Sequence, residues 1–203
     1  MPGSTRAALF IELRRYEEAL AACDRTIALA PNDAMALNNK GSALHNLGRS
    51  QEALAAYDQA LALDPNLALA LRNKCTVLGS LKRYEEALIA CDRMLALDPN
   101  DALTWRNKGR ALINLKRFEE ALVAWDHALA LDPNIAVAWL NKGVALHNLG
   151  RYQEALAAWD RALALAPNNA ETWRNKAASL RALGRTTEAD AAERRARELG
   201  WKG

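Results

Sequence analysis

The sequence predicts an all-α fold, a solenoid of antiparallel helix pairs stacked in about six units. Three observations carry that expectation. First, the chain repeats itself every 34 residues: Arg15, Arg49, Arg83, Arg117, Arg151 and Arg185 keep this spacing, as do Pro31, Pro65, Pro99, Pro133 and Pro167. Second, apolar residues within each unit recur at helical spacing in two separate stretches. Third, the recurrent Pro falls between those stretches, where a helix must stop, and Gly48 and Gly150 stand at further breaks. Residues 83–116 and 117–150 agree at 22 of 34 positions when aligned without a gap, so the register does not slip.

Counted from the first helix of each pair, the full units are 34–67, 68–101, 102–135 and 136–169. A shortened unit, 1–33, leads, and 170–203 closes a single solenoid domain of residues 1–203. In 102–135, the stretch from Ala102 to Lys116 places Trp105, Leu112 and Leu115 on one helical face, with the small Gly109 among them. A break is expected at Lys116-Arg117, where Gly48 and Gly150 stand in other units, because glycine suits the residue after a helix. The second helix, Phe118 to Leu131, gathers Phe118, Ala121, Leu122, Trp125, Ala128 and Leu129 on its inner face. Glu119 and Glu120 lie in its first turn, favourably for the helix dipole. Asp132-Pro133-Asn134 ends it. In the last unit Glu193 and Arg197 replace apolar anchors, and the helix expected over Thr187 to Leu199 is mostly charged, as befits an end that meets water.

Composition narrows the function classes. Of 203 residues 51% are hydrophobic and 25% charged, which excludes a disordered chain, and no apolar run approaches a membrane span. A net charge of +3, and arginines without exposed aromatic partners, speak against nucleic acid. The start, Met1-Pro2-Gly3-Ser4-Thr5, lacks the build of a secretory signal and equally suits a cloning remnant. Three cysteines give no disulfide framework, so a reducing, cytoplasmic setting is expected.

Ten of the twelve aromatic residues fall on three recurrent core positions. Trp105, Trp139 and Trp173 share one, Tyr57, Trp125 and Trp159 another, and Tyr16, Tyr84, Phe118 and Tyr152 the third. Cys23 and Cys91 occupy the Trp125 position and Cys75 the Gly109 position, so all three read as small buried hydrophobes. His45, His127 and His147 are too scattered for one metal ion, and no catalytic grouping or phosphate-cradling loop occurs. No cofactor, metal or enzymatic activity is expected.

Lys40, Lys74, Lys108, Lys142 and Lys176 point into the apolar arc of each first helix, and a buried ammonium needs a partner. Asp24, Asp58, Asp92, Asp126 and Asp160 each precede one of these lysines by sixteen residues. The pattern predicts an inter-repeat ladder, Asp24–Lys40 through Asp160–Lys176; the alternative is that the lysines reach solvent separately.

These features together resemble the tetratricopeptide repeat family over nearly the whole chain. Trp105, Gly109, Leu112, Ala121, Trp125, Ala128 and Pro133 occupy the positions of that family's signature. The resemblance implies a right-handed superhelix whose inner wall, lined by the first helices, binds extended peptides. In 102–135 that wall is formed by Leu103, Arg106, Asn107, Arg110, Ile113 and Asn114. The recurrent Asn39, Asn73, Asn107, Asn141 and Asn175 then form a ladder of amides able to pair with a peptide backbone of any sequence; bonding to a neighbouring helix is the alternative role. Arg72, Arg106, Arg110, Arg174 and Arg181 make the wall basic, and Met35, Leu69, Leu103 and Val137 add an apolar row. The expected partner is an extended peptide with acidic and apolar side chains, held without catalysis. The two-carboxylate clamp of some family members is not met, because Ser42, Thr76 or Arg110 replace its second Asn and its lysine positions hold Leu or Arg. A structural, self-associating scaffold is one alternative. An engineered or excised repeat array is another, although the varied groove residues speak against a pure consensus design.

Overall fold

The computed structural model describes residues 3–202, so Met1-Pro2, part of the suggested cloning remnant, and Gly203 lie outside it. The described residues form twelve α-helices and no strand: α1 (Gly3–Glu12), α2 (Tyr16–Leu29), α3 (Ala34–Asn46), α4 (Ser50–Leu63), α5 (Ala68–Ser80), α6 (Tyr84–Leu97), α7 (Ala102–Asn114), α8 (Phe118–Leu131), α9 (Ala136–Asn148), α10 (Tyr152–Leu165), α11 (Ala170–Ala182) and α12 (Thr186–Glu198). They fall into two compact units, Met1–Pro99 with α1–α6 and Asn100–Gly203 with α7–α12. Within each unit every odd-numbered helix packs on the even-numbered helix that follows it, and successive pairs stack. The second helix expected over Phe118 to Leu131 has those bounds. The first helix expected to reach Lys116 stops at Asn114, and the last helix is shifted one residue towards the N-terminus.

The early stop in α7 has a clear cause. Lys116 adopts the left-handed conformation, φ 59°; its N–H donates to the Ile113 carbonyl, and the Arg117 N–H donates to the Leu112 carbonyl at 2.9 Å. These two bonds satisfy carbonyls that the helix end leaves open. Gly48, Gly150 and Gly184 occupy the same position with φ 73–79°, while Arg14 and Lys82 share the strained solution of Lys116. A non-glycine residue there costs about 1–2 kcal/mol, partly offset by the entropy that glycine adds to the unfolded chain. Lys116→Gly is therefore expected to stabilise the protein by up to about 1 kcal/mol in urea unfolding; a variant that unfolds at lower urea contradicts this.

The recurrent arginine heads the second helix of each pair. Arg15, Arg49, Arg83, Arg117, Arg151 and Arg185 each donate a two-pronged pair of hydrogen bonds to a glutamate three residues on, Glu18, Glu52, Glu86, Glu120, Glu154 and Glu188. This bond, more than charge alone, holds each of those carboxyls below its ordinary pKa. All six pairs are exposed, so they fix the geometry of the first turn more than they add stability. At the other end, Asp33, Asp101 and Asn169 cap α3, α7 and α11 through bonds from the backbone N–H groups of Ala36, Thr104 and Thr172.

The core of each helix pair is organised by one slot, filled by two residues sixteen apart. Gly41 faces Tyr57, Gly109 faces Trp125 and Gly143 faces Trp159. A Cβ on Gly41 would stand 2.5 Å from Tyr57 Cε1, and one on Gly109 would stand 2.7 Å from Trp125 Cε2, so the ring occupies the space a side chain would need. Where the large partner is Cys23, the small partner is Ala7, and the two share one buried cluster. The expectation that all three cysteines are separate small hydrophobes fails for the remaining internal slot. Cys75 and Cys91 fill it together as a disulfide, with Cα atoms 5.3 Å apart, leaving Cys23 as the buried free thiol. An odd cysteine count did not exclude a bridge, because the 34-residue repeat brings these two into one slot. The pairing also removes the argument from cysteine count for a reducing compartment. In the last pair Ala177 replaces glycine, and Glu193 turns to Arg181 and Arg197 instead of entering the core.

The ladder of lysines and aspartates is present wherever both members lie in one unit. Lys40 meets Asp24 at 2.7 Å, Lys74 meets Asp58 at 2.5 Å, Lys142 meets Asp126 at 2.6 Å and Lys176 meets Asp160 at 2.5 Å. The ammonium groups of Lys142 and Lys176 also lie 5.3 Å from the ring centres of Trp139 and Trp173. These two lysines are thus held between an indole of their own helix and a carboxylate of the preceding one. The aspartates are more than half exposed, so each pair contributes about 0.2–1 kcal/mol and acts mainly on orientation.

Candidate functional site

The wall predicted to bind ligand is formed, within each unit, by the first-helix residues that the core does not absorb. In the first unit α3 and α5 supply it. Leu69 is 38% exposed and Met35 37%, so the apolar row does reach the surface. Asn39 is buried, with 8% of its surface exposed. Asn73 donates its amide to Asn38 Oδ1 at 3.1 Å and to Ser42 Oγ at 3.2 Å, which ties α5 to α3. The Tyr57 hydroxyl donates to the same Ser42 Oγ, and burial pushes its pKa up to about 12. For Asn73 the alternative role therefore holds: it bonds a neighbouring helix. The sequence reading does not reach Asn38, nor the bonds that Ser42 and the Tyr57 hydroxyl make here. The signal available was the run of polar residues at 38, 39 and 42, with Asn73 one repeat further on.

In the second unit the wall lies on α7, α9 and α11. Leu103 is 43% exposed and Val137 45%. Arg110 is exposed and Arg106 half-buried, and neither forms an ion pair among the described residues. Beside Val137 a recess of about 300 Å³ opens between Leu140, Asn141, Ala162, Ala166 and Glu171. Asn107 is buried, and Asn141 donates its amide to the Val137 carbonyl of its own helix at 2.8 Å. Asn175 accepts a bond from Arg174, whose guanidinium lies 5.3 Å from the Trp201 ring centre. Arg181 is committed elsewhere, bonded to Glu193 and placed 3.5 Å from Asp190, so its charge is compensated within the last helix pair.

The five asparagines thus occupy equivalent places without forming a uniform row of open amides. Two are buried, and the amides of two others are spent inside the fold. The free cationic character sits at Arg106 and Arg110, on the same helical face as the exposed Leu103 of α7, and α9 carries the exposed Val137.

The histidines serve packing. His127 stacks on Trp105 at 4.2 Å, His147 contacts Ser179 Oγ at 2.7 Å, and burial lowers the His147 pKa. Among the described residues no group of three or more His, Cys, Asp or Glu could hold a metal ion, and no helix is long and apolar enough to cross a membrane.

Paired helices at a 34-residue period, with a mixed basic and apolar face on the first helix of each pair, define a helical-repeat interaction scaffold. Models of the tetratricopeptide repeat match residues 5–68, 80–138, 136–169 and 158–191. The chain belongs to the tetratricopeptide repeat family, as an all-α solenoid of about six repeats. Solved structures agree on the fold. YrrB, a TPR protein with an unusual peptide-binding site, is 24% identical, covering 88% of this chain and 92% of its own, with a TM-score of 0.80. MamA is 21% identical, covering 78% of this chain and 93% of its own at a TM-score of 0.75. A fragment of MamA from Desulfovibrio magneticus RS-1, residue 41 to the end, is 26% identical, with coverages of 83% and 98% and a TM-score of 0.74. No curated protein sequence matches the chain.

Proposed function

We propose that this chain is a non-catalytic scaffold that holds an extended peptide with acidic and apolar side chains against the first-helix face of α7 and α9. One observation carries the reading: Arg106 and Arg110, without internal carboxylate partners, share one face of α7 with the exposed Leu103, and the next first helix, α9, carries the exposed Val137 and the recess at Leu140. A guanidinium free of internal pairing is available to a ligand carboxylate through two parallel hydrogen bonds. The recess accepts an apolar side chain, with Asn141 at its edge. An asparagine that has given one N–H within the fold still offers a second N–H and a carbonyl oxygen, enough to meet a peptide backbone. The peptide-binding site of the structurally similar YrrB supports the same class of ligand.

A peptide array probed with the wild type and with Arg106→Glu and Arg110→Glu tests the proposal. Hydrogen bonds to charged groups contribute about 1.5–3 kcal/mol each, so either reversal is expected to weaken the selected peptides roughly ten- to hundredfold. Both arginines are at least partly exposed and unpaired, so melting should be unchanged. Retention of the same peptides by both variants overturns the assignment.

A further inference from the structure

We propose that Cys75 and Cys91 are a buried redox staple, closed while the α5–α6 pair folds in oxidising conditions and afterwards sealed from solution. Elsewhere in the repeat the slot holds a glycine against an aromatic ring, Ala7 with Cys23 in the first pair, and Ala177 with the outward-turned Glu193 in the last. Only at 75 and 91 are both occupants thiol-bearing, and their Cα atoms, 5.3 Å apart, lie in the range a disulfide requires. Both side chains are fully buried. Cys23 belongs to a different helix pair, where its slot partner is Ala7, so folding brings no second thiol to it.

Closure takes two steps. The thiolate of one cysteine attacks a small disulfide such as oxidised glutathione, giving a mixed disulfide and releasing one glutathione. The thiolate of the other cysteine then attacks the protein sulfur and expels the second glutathione. The protein loses two electrons and two protons, and the oxidant becomes two thiols. Neither sulfur is reachable while α5 lies on α6, so exchange in either direction waits for the pair to open. The oxidation state is set at folding and then kept. Because Asn73 on α5 bonds Asn38 and Ser42 of α3, the staple also anchors the helix that carries Leu69 and Arg72.

The test is to refold the full chain in oxidised glutathione or in dithiothreitol, remove the reagent, and count thiols by alkylation in denaturant. One labelled thiol per chain is expected after oxidative refolding and three after reductive refolding. The oxidised protein should melt roughly 5–10 °C higher, from the loop-closure entropy of a short loop. While native it should resist dithiothreitol that reduces it at once in denaturant. In Cys75→Ala/Cys91→Ala the difference in melting should vanish. Cys75→Gly/Cys91→Tyr, which installs the Gly41–Tyr57 pairing, provides a folded control if the alanine variant does not fold. Three labelled thiols after oxidative refolding, or equal melting of the two forms, overturns the staple; reduction of the native protein as fast as the denatured one overturns the seal.

Discussion

Trp159→Ala is expected to destabilise the second unit by about 3–5 kcal/mol, the range for deleting a buried aromatic side chain. Trp159 is 1% exposed, and its indole N–H donates to the Leu140 carbonyl at 3.1 Å. The residues around it, Leu146, Leu156, Ala177, Leu180 and Ala192, come from four helices, α9 to α12. Removing the ring therefore opens a cavity shared by two helix pairs, and alanines on its walls cannot grow to fill it. Urea unfolding followed by far-ultraviolet circular dichroism reads the loss. A cost under about 1 kcal/mol, the level of a surface substitution, contradicts the packing described.

Gly143→Ala is expected to be nearly as damaging for the opposite reason. A methyl group at residue 143 lands on the indole of Trp159 in the interior of a packed pair, and forcing it in costs about 1–3 kcal/mol. Because one site is overfilled and the other emptied, the two changes should not add. Gly143→Ala combined with Trp159→Leu should recover at least about 1 kcal/mol relative to the sum of the single changes, since contacting residues couple by about 0.5–3 kcal/mol. Strict additivity in the double-mutant cycle shows that the slot is not a shared volume.

How much of this was legible beforehand depends on what each feature needed. Helix pairs, their breaks and the sixteen-residue lysine–aspartate spacing were legible because a gapless repeat turns one local pattern into several independent readings. The slot is half visible: the repeat places Gly109 and Trp125 each on its own helix face, but their mutual contact requires knowing how the two helices cross. The Cys75–Cys91 bridge is illegible for the same reason: periodicity assigns each cysteine its place in its own helix, and only the helix crossing sets the two against each other. Arg181 shows the limit for the binding face. Helical phase puts it with Arg106, but Glu193, freed by the absence of a core aromatic in the last repeat, claims it. Asn73 and Asn141 share a position, yet one bonds α3 and the other bonds its own helix: where the repeat before Asn73 has Asn38 and Ser42, the repeat before Asn141 has Arg106 and Arg110. Periodicity fixes where a side chain starts; its neighbours decide what it is free to bind.

A charge-swap titration tests the central claim most directly. An acidic peptide selected by the wild type is compared, by isothermal calorimetry against the wild type and Arg106→Glu/Arg110→Glu, with a second peptide in which its carboxylates are replaced by lysines. The account predicts that the double reversal loses the acidic peptide and gains the lysine peptide, while the wild type does the opposite. Equal affinity of both proteins for both peptides would place the ligand on some other face of the solenoid.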